Sequence, residues 1–491
     1  MSSPFRLSTL WLLLLACAAV CVALSSQSFW IDETESALKA AAPTFHAWWQ
    51  GLYNEGDSNI QLPLYMLYIW GLGRLIPISE LSLRAANIPF FFLGFFAIHH
   101  FLRRRQGLRS AALLIYCVHP FVWYYLDEAR PYLMQLSGAM LAAGALFAAL
   151  DLPGEPLQPS WWWLYGAGLF IMCGSGMLGI PWAAAITLLL IVRRPGFLQS
   201  TFRQGLPALL LFIPLLACLT LYFAWTVKQG FRNGETGSSP ASIPFVFYED
   251  LGFNGLGPGR ADMRARSLHV FLPYIAPACI LGIPLCYALA RAAAVRFGLS
   301  SSKFLAICLA VCLPAGFVFA LGFAKGFLVL GRHMTPLFPF VLCAVAFSIS
   351  HLWRRRNLLD RAAAVLIVIA LAISSLEIRF ASRHQKDDYK DAAAIAIAAL
   401  AQSEDVWWVA DPVAGEYYSV PVSQTPDSPA PATALYLWKA LPADLVPLPP
   451  PTLVVLSKPD IFDTNSAVLN YLKQNNYTQF QTLPAFTLWK K

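Results

Sequence analysis

Residues 62–76 read LPLYMLYIWGLGRLI. The stretch is apolar, but a spanning helix needs about 17–25 largely apolar residues, and this one is short. It also holds Arg74 and runs into Pro77. Whether it crosses a membrane fixes the side of every later loop. Charge decides the question, because cytoplasmic loops carry an excess of Lys and Arg. If 62–76 lies along the membrane surface, alternate loops sort into two sets. One set holds fifteen basic residues, at Arg6, 103–109, 193–203, 291–303 and 354–361, against only Asp151, Glu155 and Asp360. If 62–76 crossed, the Arg103-Arg104-Arg105 cluster would change sides and the pattern would break. The stretch is therefore read as interfacial.

Working outward, apolar runs long enough to cross lie at 8–26, 82–102, 110–126, 131–150, 161–177, 179–193, 206–226, 268–290, 303–323, 333–352 and 362–379. They predict a mainly α, polytopic membrane protein with about eleven transmembrane helices. Its N-terminus is then inside and its C-terminus outside, in the cytoplasmic membrane of a bacterium. The alternative for 1–26, a cleaved signal peptide, is disfavoured by a long apolar run and a poor small-x-small match at Ala23-Leu24-Ser25. The composition agrees. The 491 residues are 57% hydrophobic and 13% charged, where soluble proteins run to roughly 25% charged. The net charge of +8 sits in loop clusters, a topology signal and not a nucleic-acid footprint. The ten cysteines all lie in or beside apolar stretches and form no CxxC pair, so neither a disulfide framework nor a thiolate zinc site is indicated.

From about 381 the composition changes. A charged stretch, RHQKDDYKD, leads into an alanine-rich helical run at 389–402. Strand-like pieces follow at 405–410 and 452–457, with a proline-rich stretch between them. The segment 381–491 is expected to form a small extracytoplasmic α/β domain behind a membrane module at 1–380.

Polar residues collect outside the spans. The long first outer loop, 27–81, carries WIDETES at 30–36, with Asp32, Glu33 and Glu35 close to the end of the first span. Carboxylates at a membrane face serve as general base, metal ligand or solvated turn residues, and spacing alone leaves the three open. The second outer turn, YYLDEARPYLM at 124–134, places Asp127, Glu128 and Arg130 in a tight hairpin. They read as an internal ion pair, or as Arg130 facing an anion with a carboxylate facing a metal or a sugar hydroxyl. A third cluster, KGFLVLGRHMTPLFPF, puts Lys325, Arg332 and His333 on the outer side, against the inside bias. Lipid headgroups account for that, as does a phosphate gripped by the Arg fork. The loop 227–267 is rich in Gly, Pro and Ser, carries Lys228, Arg232, Arg260, Arg264 and Arg266, and reads as a mobile lid. Its GLGPGR is a weak phosphate-cradle signal. His46, His99, His100, His119, His269, His351 and His384 show no zinc-ligand spacing and read as structural.

Five stretches, in order, resemble the integral-membrane glycosyltransferases of the C-type fold, in the bacterial family 39-like branch with the protein O-mannosyltransferases and the lipid A aminoarabinose transferase. WIDETES resembles the acidic first-loop motif. QLPLYMLYIWGLGRLIPISELSLRAANIPF resembles the PPLYY…LG…SE…LRLPS stretch. PFVWYYLDEARPY resembles the PF…YYSQEARPY turn, GRHMTPLFP resembles RYLLPLLP, and KDDYKDAAAIA resembles a short post-membrane helix. The likeness covers about 1–400. Gln61-Leu62 departs from the His-Pro or Lys-Pro common there, and Asp127 stands where Gln or Thr is common.

The resemblance implies an inverting transfer of a sugar, hexosyl or pentosyl, from a polyprenyl-phosphate carrier to an acceptor hydroxyl on a glycan, lipid or protein. Asp32 matches the family's catalytic aspartate, with Glu33 orienting the acceptor or helping to bind a metal. Arg130 and Arg332, with Lys325 behind them, would meet the donor phosphate. Asp127, Glu128, Gln61, Tyr65 and Tyr132 would line the substrate. Some relatives use a divalent cation, for which Asp32, Asp127 and Glu128 are the candidate ligands. Two other readings remain from the residues alone: a transporter or flippase of lipid-linked sugars, and a ligase or polymerase using a diphosphate-linked glycan. A transporter would place ionisable groups near the midplane or show repeated halves; here the charges sit at the membrane face.

Overall fold

The structure is a computed structural model that describes residues 8–55, 58–151, 157–194, 196–228, 237–263, 268–355, 357–423 and 433–491. Arg6, Glu155, Arg232, Arg264, Arg266 and Arg356, used above, lie outside the described residues.

The chain is a helical membrane bundle followed by a mixed sheet. Seven helices among the described residues are long and apolar enough to cross: Glu80–Phe101, Tyr132–Asp151, Leu206–Lys228, His269–Ala294, Ser301–Lys325, Gly331–Arg354 and Leu358–Phe380. An eighth passes only as a bent pair, Gly179–Arg193 with Phe197–Gln204. The expected count of eleven is therefore not reached by length and composition. The reason is local. The run read as one span at 110–126 is two helices, Gln106–Val118 and Pro120–Leu126. Pro120 has no N–H to give the preceding turn, and Trp123 spends its indole N–H on the Cys117 carbonyl, 2.7 Å away. Thr9–Ala23 and Pro159–Gly174 have 15 and 16 residues, so each is roughly 23 Å long against a hydrocarbon core of about 30 Å.

The deciding stretch forms an 11-residue helix, Pro63–Gly73, well short of a span. It packs on the first-loop helix Ile31–Ala41 so closely that a Cβ at Gly73 would strike the Ala40 carbonyl. Arg74 explains itself there: its guanidinium donates to the carbonyls of Ala40, Ala41 and Pro43 at 3.3, 3.2 and 3.0 Å. A cation thus satisfies the orphan carbonyls at the end of a helix.

After the last spanning helix, Asp388 caps the helix Tyr389–Ala401 through the Asp391 N–H, 3.2 Å. The sheet comprises β1 (Val406–Val409), β2 (Val422–Ser423), β3 (Ala434–Tyr436), β4 (Leu453–Ser457), β5 (Thr478–Leu483) and β6 (Phe486–Lys490). Its order is β2-β3-β1-β4-β6-β5. The first four run parallel, and β6 returns antiparallel on β4 and β5. β1 and β4 are buried on both faces, which is why they read as unbroken apolar runs.

Candidate active site

Three elements separated in sequence converge at one end of the bundle: the first-loop helix Ile31–Ala41, the turn 127–131 after Pro120–Leu126, and the start of Gly331–Arg354. The turn is held in place by neutral and charged donors. The Asn87 side-chain amide reaches the carbonyls of Tyr125, Leu126 and Glu128, the last at 2.6 Å. The Ala129 N–H donates to Glu33 Oε1 at 2.8 Å.

Glu33 is the hub. It is fully buried and faces Arg84, whose Nε and Nη2 lie 3.0 and 2.7 Å from its two oxygens. Lys386 Nζ joins from beyond the last spanning helix at 3.1 Å. Arg84 also donates to the carbonyls of Ser25, Gln27 and Ser28, so one guanidinium gathers the end of the first helix. Burial alone would raise the Glu33 carboxyl; Lys386 and Arg84 overcome that and hold it at about 2. Lys386 also donates to the Asp127 carbonyl. With both oxygens so engaged, Glu33 is placed as a clamp between loops and not as a group facing an acceptor.

Asp32, one residue earlier, points the other way. Its carboxylate meets Arg332 Nη1 at 3.2 Å, and both side chains are 26% exposed. Arg332 lies over the rings of Trp30 and Tyr132, 5.9 and 6.0 Å to the centroids. Its Nε is buried without a hydrogen-bond partner. Arg260 also packs on this group, 4.8 Å over Trp30 and 4.8 Å over Tyr124. The glycines before Arg260 fit no phosphate cradle: a Cβ at Gly255 or Gly259 would collide with the carbonyls of Ser374 or Arg383, so the loop needs glycine for close backbone packing.

Arg130 comes to the same place by another route. It is buried, and its Nη1 donates to the Asp32 carbonyl at 3.1 Å, Ser36 Oγ at 3.1 Å and Asn59 Oδ1 at 2.6 Å. One arm of the fork expected to face a phosphate is thus engaged with the helix that carries Asp32 and with Asn59, while its Nε is buried without a hydrogen-bond partner. Glu128 is buried with neither oxygen hydrogen-bonded. Burial pushes it up to about 8 despite the opposing charges of Lys386 and Arg332. Asp127 accepts from the Ser25 N–H at 2.6 Å and Oγ at 2.7 Å. It points at the end of the first helix, away from Asp32. Among the described residues no three His, Cys, Asp or Glu side chains converge to hold a metal ion. Asp32, Asp127 and Glu128 are not grouped in this way, and Asp127 is engaged with Ser25 at the end of the first helix.

Tyr132 sits under Arg332, edge-on to Tyr125 at 5.1 Å. Tyr65 is buried one helical turn beyond Gln61, which ends the turn Ser58–Gln61 that supplies Asn59. Lys325 is exposed at the C-terminus of Ser301–Lys325, seven residues before Arg332 in sequence. Sequence reading missed Arg84, which sits inside an apolar motif, and Lys386, which sits in a charged stretch that looks solvated. It also missed Glu249, whose carboxylate accepts the Gly331 N–H at 2.6 Å and is pushed up to about 7 by burial.

No family model matches the chain, and no curated protein matches it. Solved structures do match. The crystal structure of ArnT from Cupriavidus metallidurans in the apo state aligns over 98% of this chain and 97% of that one, with a TM-score of 0.52 and 13% identity. The same protein bound to undecaprenyl phosphate aligns over 98% of each chain, with a TM-score of 0.51 and 13% identity. The chain has the ArnT fold. The C-type architecture expected from the motifs is thus the one observed, and the likeness to ArnT runs through the C-terminal sheet as well as the bundle.

Proposed function

We propose that the chain transfers a sugar from a polyprenyl monophosphate to an acceptor hydroxyl at the membrane face that carries Asp32. One observation carries the reading. A partly exposed carboxylate and a partly exposed guanidinium, Asp32 and Arg332, meet at 3.2 Å on a floor of aromatic rings. The match to an ArnT structure bound to undecaprenyl phosphate supports the same donor class.

In this reading the donor phosphate replaces Asp32 as the partner of Arg332, with Arg260 beside the same Trp30 ring. Asp32 is then free to act as base. The acceptor oxygen attacks the anomeric carbon, its proton passes to Asp32, and the bond to the phosphate oxygen breaks with its electron pair left on the phosphate. A single displacement inverts the anomeric centre. The two arginines stabilise the charge that grows on the leaving group. Arg130 and Glu33 are positioning residues: one fixes the Asp32 carbonyl, the other ties the loop to the turn. Tyr132 and Glu128 face the sugar, with Tyr65 and Gln61 behind Asn59, and Lys325 gives a further cation along the path. The membrane module is 1–380, with 381–491 on the same outer side and the N-terminus inside.

The test is transfer from an undecaprenyl-monophosphate sugar by the purified full chain, read as released undecaprenyl phosphate. A positioned base contributes roughly 10²–10⁴ in rate, so Asp32→Asn is expected to lose that much while its melting temperature holds. Full activity in Asp32→Asn sinks the base assignment. Lipid-linked sugar crossing the bilayer with no carrier released supports a flippase instead, and activity only on a diphosphate-linked donor supports a ligase.

A further inference from the structure

At the other end of the bundle from Asp32, the helices that frame the site open a second, separate cleft. Gly331–Arg354 starts beside Asp32 and ends there at Arg354; Gln106–Val118 starts there and leads through Pro120–Leu126 to the turn that carries Arg130. Its lining brings together Arg104, Arg105, His351 and Arg354 with Ser350 and the first residues of Gln106–Val118, and among the described residues no carboxylate lines it. Arg105 is steadied from outside by Asp151, 2.5 Å away. His351 lies flat on Phe347, and its Nε2 is buried with no hydrogen-bond partner.

We propose that this cleft holds the phosphate of an anionic phospholipid from the leaflet opposite the Asp32 site. Three features select that chemistry. Guanidinium forks match phosphate oxygens in charge and geometry. The start of Gln106–Val118 has no side-chain cap, so its N-cap side chain does not compete with an anion for its first N–H groups. The cleft lies at the ends of membrane helices, where acyl chains can follow the apolar surface while the headgroup reaches inward. A neutral zwitterionic headgroup offers the same phosphate but brings its own cation, for which the lining has no carboxylate among the described residues.

The purified full chain in neutral detergent is incubated with phosphatidylglycerol or phosphatidylcholine, and retained lipid is counted by native mass spectrometry. In a third arm, inorganic phosphate is added to the phosphatidylglycerol sample. The wild type is expected to retain phosphatidylglycerol selectively, and inorganic phosphate at the same concentration should leave it bound. Each cation near an anionic headgroup is worth roughly a fivefold factor, so R104Q/R354Q should lower retention about 25-fold. R354K, which keeps the charge, should retain most of it, and R203Q, away from the cleft, all of it. Unchanged retention in R104Q/R354Q, or equal retention of phosphatidylcholine, overturns the proposal. Displacement by inorganic phosphate assigns the cleft to free phosphate and overturns the lipid assignment. If the double variant does not fold, the comparison of R354Q with R354K decides in its place.

Discussion

Glu128 shows how position sets chemistry for a single residue. It adjoins Asp127 in sequence, yet Asp127 is satisfied by Ser25 and Glu128 has no hydrogen bond at all. Its folded value of about 8 lies above the ordinary 4.5. The folded state therefore binds a proton that the unfolded chain has released, and stability falls as pH rises from about 4.5 to 8. Glu128→Gln should flatten that decline, as read from melting temperatures across the range. An unchanged slope would mean Glu128 is ionised and paired. At neutral pH a protonated Glu128 can donate a hydrogen bond to a sugar oxygen, which Asp32, engaged with Arg332, does not do. The motifs made both residues visible as candidates. They left open which one is solvated, because that depends on Ser25, a hundred residues away in sequence. Arg130 is a similar case: its type and place were legible, but its direction, onto the Asp32 carbonyl, comes from Asn59 and Ser36.

At the scale of elements, the helix Ile31–Ala41 is held by the Glu33–Arg84 pair at one end and by Arg74 at the other. The pair is dry, so removing one partner strands the other charge at a cost of about 3–5 kcal/mol. Arg84→Met is expected to destabilise the chain by that order and to loosen the loop; a melting temperature within a degree of wild type would show that Lys386 alone suffices for Glu33. The acid dependence follows from the depressed Glu33 carboxyl. Its contribution is complete above about 4.5 and is lost as pH falls towards 2. Tryptophan fluorescence of the first loop, which holds Trp48 and Trp49, should change in that window, and a transition centred near pH 6 would assign it to other groups. The apolar runs foretold the long helices well, including Leu206–Lys228 and Ser301–Lys325, which carry Pro214 and Pro314 inside them. They overcounted spans where a run contains a hidden break, as at His119-Pro120. Hydropathy averages over such a break, while backbone hydrogen bonding does not.

At the scale of the whole molecule, the C-terminal region is part of the site's frame. Lys386 closes on Glu33, Lys390 pairs with Glu80 at 3.2 Å, and the Tyr418 hydroxyl accepts the Phe29 N–H at 2.8 Å. The first and last of these reach the short segment Ser28–Glu33 that presents Asp32, and so does the Lys390 N–H, which donates to Ser28 Oγ at 3.1 Å. None was legible in the sequence, because charged residues after a last span read as a solvated linker. The contacts arise only when the sheet folds back onto the first loop. If the C-terminal region positions the first loop, Lys386→Met should raise amide exchange across 27–36 and lower the transfer rate. Exchange in the spanning helices should not change. Tyr418→Phe removes the hydroxyl that accepts from Phe29 and keeps the ring that packs beside Tyr417, so it should reproduce the local exchange effect with a smaller loss of rate. Hydrogen exchange in 27–36 that stays at the wild-type level in both variants would show that Arg84 holds the loop unaided and that the sheet merely rests against it.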